Sequence, residues 1–350
     1  MISAIKSIYK GRRAIQKLVK VKFTGKRIPV RVSLLVTKYC NLSCSFCYVE
    51  ELNSKKVAEP SLESIKNILD QIYDAGCRWV SFIGGEPLIR NDIEDIIDYA
   101  CSKSMFIEMT TNGFYVKKRI EALKKVDFLT ISLDGDEESN NKSRGDGSFE
   151  KIVEGIEYAL KNDIQVRVHA VLSKRTMSKK SLEFLSDFCN RLKVKLNFSE
   201  ISLDDDKREP DFDLSDNELM EFYRSYKRLK KNGLPIVSSD VAIKYMEKWP
   251  LPEQTTIYKK DLPEIPKDSY YPCKLGRNQV FISVEGNVNP CPKLWSHGKN
   301  MHEVGFAEAW KHLEDLDCVS CKVLGSTEQS LMTSLEPKTM VNAITNFASS

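Results

Sequence analysis

The sequence predicts an α/β fold: a partial (β/α)6 barrel followed by a small cysteine-containing extension. Three observations predict it. Six short β-rich runs alternate with amphipathic helical runs between residues 31 and 202. The chemically unusual residues fall just after those runs, where βα units carry their chemistry. A Pro-rich stretch then breaks the alternation ahead of a second set of cysteines.

The chain opens with a basic amphipathic segment, residues 1–30. Ten Lys and Arg fall between Lys6 and Arg31, and the first acid is Glu50. The core, 31–233, starts with the strand RVSLLVT (31–37). A helix at 61–76 follows, with Ser61 as N-cap and Gly76 past its end. The pattern continues with strands at 79–85, 106–113, 128–135, 164–173 and 194–202. Helices are expected at 93–103, 116–126, 148–162 and 178–192. Alternation of this kind argues a parallel sheet with right-handed crossovers, hence a TIM-like, incompletely closed barrel. An acidic loop (203–213) leads to a helix at 215–233. Residues 234–272 read as a linker, Pro-rich and irregular from 249. Residues 273–325 form the extension, with a hairpin at 280–292 turning at Glu285-Gly286-Asn287. The tail, 326–350, shows no clear pattern beyond a short helix at 343–348.

Composition narrows the classes. At 350 residues and 41% apolar content the chain can bury a sizeable core. It shows no secretory signal and no run of about 18 apolar residues. A reducing cytoplasm is therefore expected, where clustered cysteines read as metal ligands. Net charge is only +4, so the basic N-terminus stands out. Such a helix could lie at an anionic membrane surface, or pack on the barrel with its charges solvated. No nucleic-acid partner is indicated.

Cys40, Cys44 and Cys47 are spaced x3 and x2 within "CNLSCSFCY". Three thiolates are one short of a closed zinc site. They suit a 4Fe–4S cluster with one open iron, or zinc borrowing a distant ligand. With an aromatic before the third cysteine, and "GGEP" after the second strand, the sequence resembles the radical S-adenosylmethionine (radical SAM) superfamily. The resemblance covers about residues 31–200. It implies that SAM chelates the open iron, and that reductive cleavage yields methionine and a 5′-deoxyadenosyl radical. That radical takes a hydrogen atom from a substrate. A low-potential electron donor such as flavodoxin or ferredoxin is implied as well.

Gly84 and Gly85 let backbone approach a ligand closely, Glu86 can accept a charge-assisted bond from an ammonium, and Pro87 stiffens the loop. The resemblance gives these four the SAM amino group. Asn112, in "TTNG", either reaches the pocket or forms a plain turn. Ser132 and Asp134, in "SLDG", lie on one side of a strand end and by resemblance bond the ribose hydroxyls. Relatives with a cysteine-rich extension often carry His-Asp-x-x-Arg nearby. Here Asn140 and Asn141 replace the first two, and Arg144 remains for the SAM carboxylate. His169 reads as a core histidine. No catalytic side chain is assigned.

Cys273 and Cys291 bracket the hairpin, and Cys318 and Cys321 form "CVSC". The order resembles the SPASM/twitch extension of radical SAM enzymes, with ligands for one auxiliary 4Fe–4S cluster; four-thiolate zinc is the other reading. Cys77, Cys101 and Cys189 read as small buried hydrophobes. The function expected is SAM-dependent radical chemistry on a peptide or protein, a lipid-linked compound or a small metabolite. The competing class is a non-catalytic iron–sulfur or zinc protein, which needs no SAM pocket.

Overall fold

The computed structural model describes residues 2–47, 49, 58–201, 212–295 and 297–348. The acidic stretch 203–211 and the expected end of the sixth strand at 202 lie outside them. In chain order the elements are α1 (Ile2–Thr24), β1 (Arg31–Thr37), α2 (Leu62–Asp74), β2 (Trp79–Gly84), α3 (Ile93–Ser102), β3 (Phe106–Thr111), α4 (Ile120–Leu123) and β4 (Phe128–Ser132). Then come α5 (Glu137–Arg144), α6 (Ser148–Lys161), β5 (Val166–Val171), α7 (Lys179–Leu192), β6 (Lys195–Ser199), α8 (Asp216–Lys231), α9 (Asp240–Glu247) and β7 (Thr256–Tyr258). The last are β8 (Gln279–Ile282), β9 (Asn287–Asn289), β10 (Lys299–Asn300), α10 (Met301–Val304), α11 (Phe306–Lys311), β11 (Cys318–Cys321), α12 (Leu324–Thr333) and α13 (Pro337–Ala348). Through β6 this is the strand–helix alternation of a partial (β/α)6 barrel.

Helix starts follow their caps. Ser61 and Ser178 each accept the backbone N–H three residues on. Ser215 and Glu218 form a reciprocal capping box at α8. The helix expected at 116–126 shrinks to Ile120–Leu123. Lys117, Lys118 and Arg119 crowd like charge ahead of it, and Arg119 is drawn to the carbonyls of Leu88 and Arg90.

Two compact units interleave along the chain. The first comprises Met1–Ser132, Arg144–Val166 and Gly276–Glu314. Its strands β1 to β4 are parallel neighbours in sequence order. β8 adds in parallel to the free edge of β1, and β9 and β10 follow antiparallel. The hairpin expected in the extension therefore extends the core sheet, with Gly286 at φ +90° in its turn. Buried Val32, Leu34, Val80, Phe82, Ile107 and Met109 fill one face of the sheet. α1 lies across the entry ends of the strands. Lys10 pairs with Asp127, just before β4, at 2.9 Å, and Arg13 donates to Ser104 O, just before β3. Leu18 and Val21 are buried beneath it.

The second unit comprises Leu133–Ser143, Arg167–Leu275 and Asp315–Ser350. It pairs β5 with β6 in parallel and β7 with β11 antiparallel. Phe198 and Tyr226 pack edge-on against Phe222, and Tyr223 packs tilted beside it, as its aromatic core. The segment expected as a linker is ordered here, because β7 supplies the partner strand for the "CVSC" run. The tail holds two helices, α12 and α13.

Candidate functional site

In the first unit the loops after β1, β2 and β3 converge. The loop after β2 is sewn to the cysteine loop by Gly85 N–H to Thr37 O at 2.9 Å and Glu86 N–H to Tyr39 O at 2.8 Å. A Cβ on Gly84 or Gly85 would overlap the carbonyl oxygens of Thr37 and Tyr39. These glycines are thus required by the chain's own backbone; the expectation that they are there for a ligand missed this contact.

Glu86 is fully buried. One carboxylate oxygen accepts Leu88 N–H at 2.9 Å and the Thr111 hydroxyl at 2.8 Å, and the other accepts Asn112 N–H at 2.7 Å. Burial pushes its pKa up to about 7, against the pull of those three donors. Three of about four lone-pair sites are taken, so the carboxylate is first of all a clamp between the β2 and β3 loops. Pro87 is buried behind it in a 3-10 turn.

Asn112 continues the clamp. Its amide donates to Asn41 Oδ1 at 2.9 Å and to Cys40 Sγ at 3.7 Å, and Leu42 N–H meets the same sulfur at 3.4 Å. Two N–H groups aimed at one sulfur suit a thiolate. Burial, with the charges of Glu86 and Cys47, opposes them and raises the Cys40 pKa. Cys47 N–H closes a turn onto Cys44 O, and Cys47 packs against Leu35, Val49 and Val284. Arg144 lies over the Phe46 ring at 5.2 Å, which brings the guanidinium to the cysteine loop. No disulfide links the ten cysteines.

Ser132 ends β4 in the first unit and is nearly closed from solvent. Asp134 belongs to the second unit. It is buried, accepts Val171 N–H at 2.9 Å, and gives its own N–H to Asn140 Oδ1. Asn140, standing where relatives carry His, thus holds the Asp134 turn.

Sequence reasoning missed Asn41 and Thr111, which look like loop filler until the clamp is seen. It also missed a polar group on β5 and β6. His169 has Asn197 Nδ2 at 3.0 Å from Nδ1 and Ser199 Oγ at 3.0 Å from Nε2. The signal was the alternation Lys195, Asn197, Ser199 on one face of a strand.

In the second unit Cys273, Cys318 and Cys321 come together. Cys273 N–H donates to Val319 O at 2.7 Å. "CVSC" is the strand β11. A bulge between Cys318 and Ser320 sets Cys318 opposite Tyr258 and Cys321 opposite Thr256, so both cysteines share a face. Tyr271, Cys273, Cys321 and Ser330 line a small cleft beside them. Burial raises the Cys273 and Cys318 thiols. Cys291 belongs to the first unit, on the turn after β9. Among the described residues no three His, Cys, Asp or Glu side chains are already drawn in around a metal position; thiol chemistry and the N–H groups at Cys40 are what fit a cluster.

Residues 34–185 match the radical SAM superfamily. The match identifies that segment, and not the rest of the chain, as a radical SAM domain. A probable GTP 3′,8-cyclase of Methanosarcina mazei is 29% identical over 310 residues, 84% of each chain. Fe-coproporphyrin III synthase of Methanosarcina barkeri is 30% identical over 161 residues, 45% of this chain and 40% of that protein. The chain thus spans about two-fifths of the length of that relative. Streptococcus suis SuiB bound to S-adenosylmethionine superposes with a TM-score of 0.63 at 21% identity, over 83% of this chain and 68% of SuiB. A second SuiB structure holds the precursor peptide SuiA. At such identity the likeness shows the fold alone, a partial α/β barrel.

Proposed function

We propose that this chain is a radical SAM enzyme that cleaves S-adenosylmethionine reductively and uses the resulting radical to take a hydrogen atom from a substrate. The observation that carries this reading is the clamp: Cys40, Glu86 and Asn112 lock the cysteine, "GGEP" and "TTNG" loops together in a radical SAM domain. Cys40, Cys44 and Cys47 would hold the 4Fe–4S cluster. When bound, that cluster supplies the electron that breaks the sulfur–carbon bond of SAM. The loop backbone at Gly84 and Gly85 and the remaining lone pair of Glu86 would meet the SAM ammonium. Arg144 would meet its carboxylate, and Ser132 and Asp134 the ribose. Cys273, Cys291, Cys318 and Cys321 would serve one auxiliary cluster. A flavodoxin or ferredoxin would deliver electrons in a reducing compartment.

The substrate reading is coarser. SuiB's peptide supports a peptide or protein; a small metabolite or a lipid-linked head group is open to the same hydrogen-atom abstraction. Peripheral contact with an anionic membrane surface through α1 belongs to the reading as well. The test is anaerobic incubation of cluster-loaded protein with SAM and dithionite. Formation of 5′-deoxyadenosine is expected; its absence, with about four irons present at the first site, would favour a non-catalytic iron–sulfur protein.

A further inference from the structure

Resting on the peripheral membrane reading of α1, we propose that this helix seats the first unit on an anionic phospholipid surface, with the exit ends of β1 to β3, where the Cys40–Cys44–Cys47 loop lies, turned away from it. The sequence gives α1 seven cations, Lys6, Lys10, Arg12, Arg13, Lys17, Lys20 and Lys22, and no acid. The structure divides its described faces. Lys10, Arg13, Leu18 and Val21 face the protein. The opposite face carries Ile15, Val19 and Phe23, spaced four apart, with 41%, 39% and 81% of their surfaces exposed. Arg12, Lys20 and Lys22 are exposed around that stripe.

A docked helix that faces water ordinarily turns a polar side outward. Here the outward side carries an apolar stripe interleaved with exposed Arg12 and Gln16 and flanked by Lys20 and Lys22, the pattern of a helix lying in a headgroup layer. Arg13, Lys20 and Arg78 stand close enough to Lys17 to add to burial in lowering its pKa. Anionic lipid is the occupant that satisfies both the stripe and the cations.

Orientation follows from what α1 touches. Asp127 and Ser104, which Lys10 and Arg13 reach, each lie just before a strand, and just past the helix Gly25 O receives Arg277, just before β8. All are entry ends. The cysteine loop, "GGEP" and "TTNG" are at the exit ends, about 20 Å away for strands of this length. A substrate would then reach the first unit's exit ends from the aqueous side, and a lipid-linked one only through a head group able to extend that far.

The test needs no SAM chemistry, so its failure is distinct from failure of the enzyme reading. Full-length, cluster-loaded protein is sedimented with vesicles of phosphatidylcholine alone or with one-quarter phosphatidylglycerol. Binding to the anionic vesicles only is expected. It should weaken with salt and fall at least about tenfold in Phe23→Glu and Val19→Glu. Amine-reactive footprinting on the vesicles should protect Lys20 and Lys22 while leaving Lys117 and Lys118, after β3, unchanged. No binding above the neutral control would overturn the proposal, as would binding unaffected by Phe23→Glu. Protection of Lys117 and Lys118 would overturn the orientation. A dimer in solution that Phe23→Glu dissociates would make a second copy the occupant instead.

Discussion

Asn112 gives its backbone N–H to Glu86 at 2.7 Å, and both residues are closed off from solvent. That bond ties the end of β3 to the loop after β2, and the Asn112 amide carries the tie on to Cys40. The cysteine loop is thereby held by side chains that are not metal ligands, which is the sense in which a metal site needs a supporting shell.

Glu86→Gln should therefore act through structure as well as charge. One amide nitrogen would confront a donor among Leu88 N–H, Thr111 hydroxyl and Asn112 N–H. A buried donor left without an acceptor costs about 1–3 kcal/mol. Denaturant unfolding should show that loss, and SAM titration a weaker affinity. Unchanged stability and affinity together would refute the clamp.

Gly85→Ala should be worse than its size suggests, because the new Cβ meets the Tyr39 carbonyl rather than open space. Overpacking of this kind costs about 1–3 kcal/mol. Iron loading at the first site should fall with it, which iron and sulfide counts would show. Full loading would mean the loop can shift freely.

Changing Cys40, Cys44 and Cys47 together to Ala should abolish 5′-deoxyadenosine formation. Changing Cys273, Cys291, Cys318 and Cys321 should remove about four irons and leave about four, the content of one 4Fe–4S unit. Zinc in anaerobically prepared wild-type protein, with only about four irons, would assign the second set to a structural metal.

Asp136 offers a pH test in the second unit. Burial alone would raise its pKa, but hydrogen bonds from Lys180, Ser139 and Ser181 outweigh that and hold it at about 2. Its stabilising effect is present above the ordinary carboxylate range near pH 4 and is lost as pH falls through about 2. Because Lys180 is exposed to solvent screening, the contribution is about 1–2 kcal/mol at most. Asp136→Asn should cost that much in urea unfolding at pH 7 and progressively less below pH 4. An equal deficit at pH 7 and pH 2 would show that charge is not the cause.

Lys10→Met should loosen α1. It leaves Asp127 almost buried with the Ile107 N–H as its donor among the described residues, and breaking such a pair costs about 3 kcal/mol. Limited proteolysis within the first 24 residues should accelerate. Unchanged cleavage would mean that the pair does not hold the helix.

The sequence alone determined what repeats locally. Strand and helix periods, serine caps and the Cys40–Cys44–Cys47 spacing are each written within a few residues, so the α/β alternation and the kinship to radical SAM proteins were legible. Contacts between distant segments were not. Gly84 and Gly85 need the Thr37 and Tyr39 carbonyls to explain them, and Asp134 needs the Val171 N–H. The strand β8 could not be assigned to β1 from its own residues, because the edge it covers lies about 250 positions earlier. "CVSC" became a bulged strand only because β7 is there to pair with it. Spacing fixes which atoms can meet over one or two turns of chain; which buried donor finds which acceptor across the sheet is decided by packing, and only the tertiary structure holds that information.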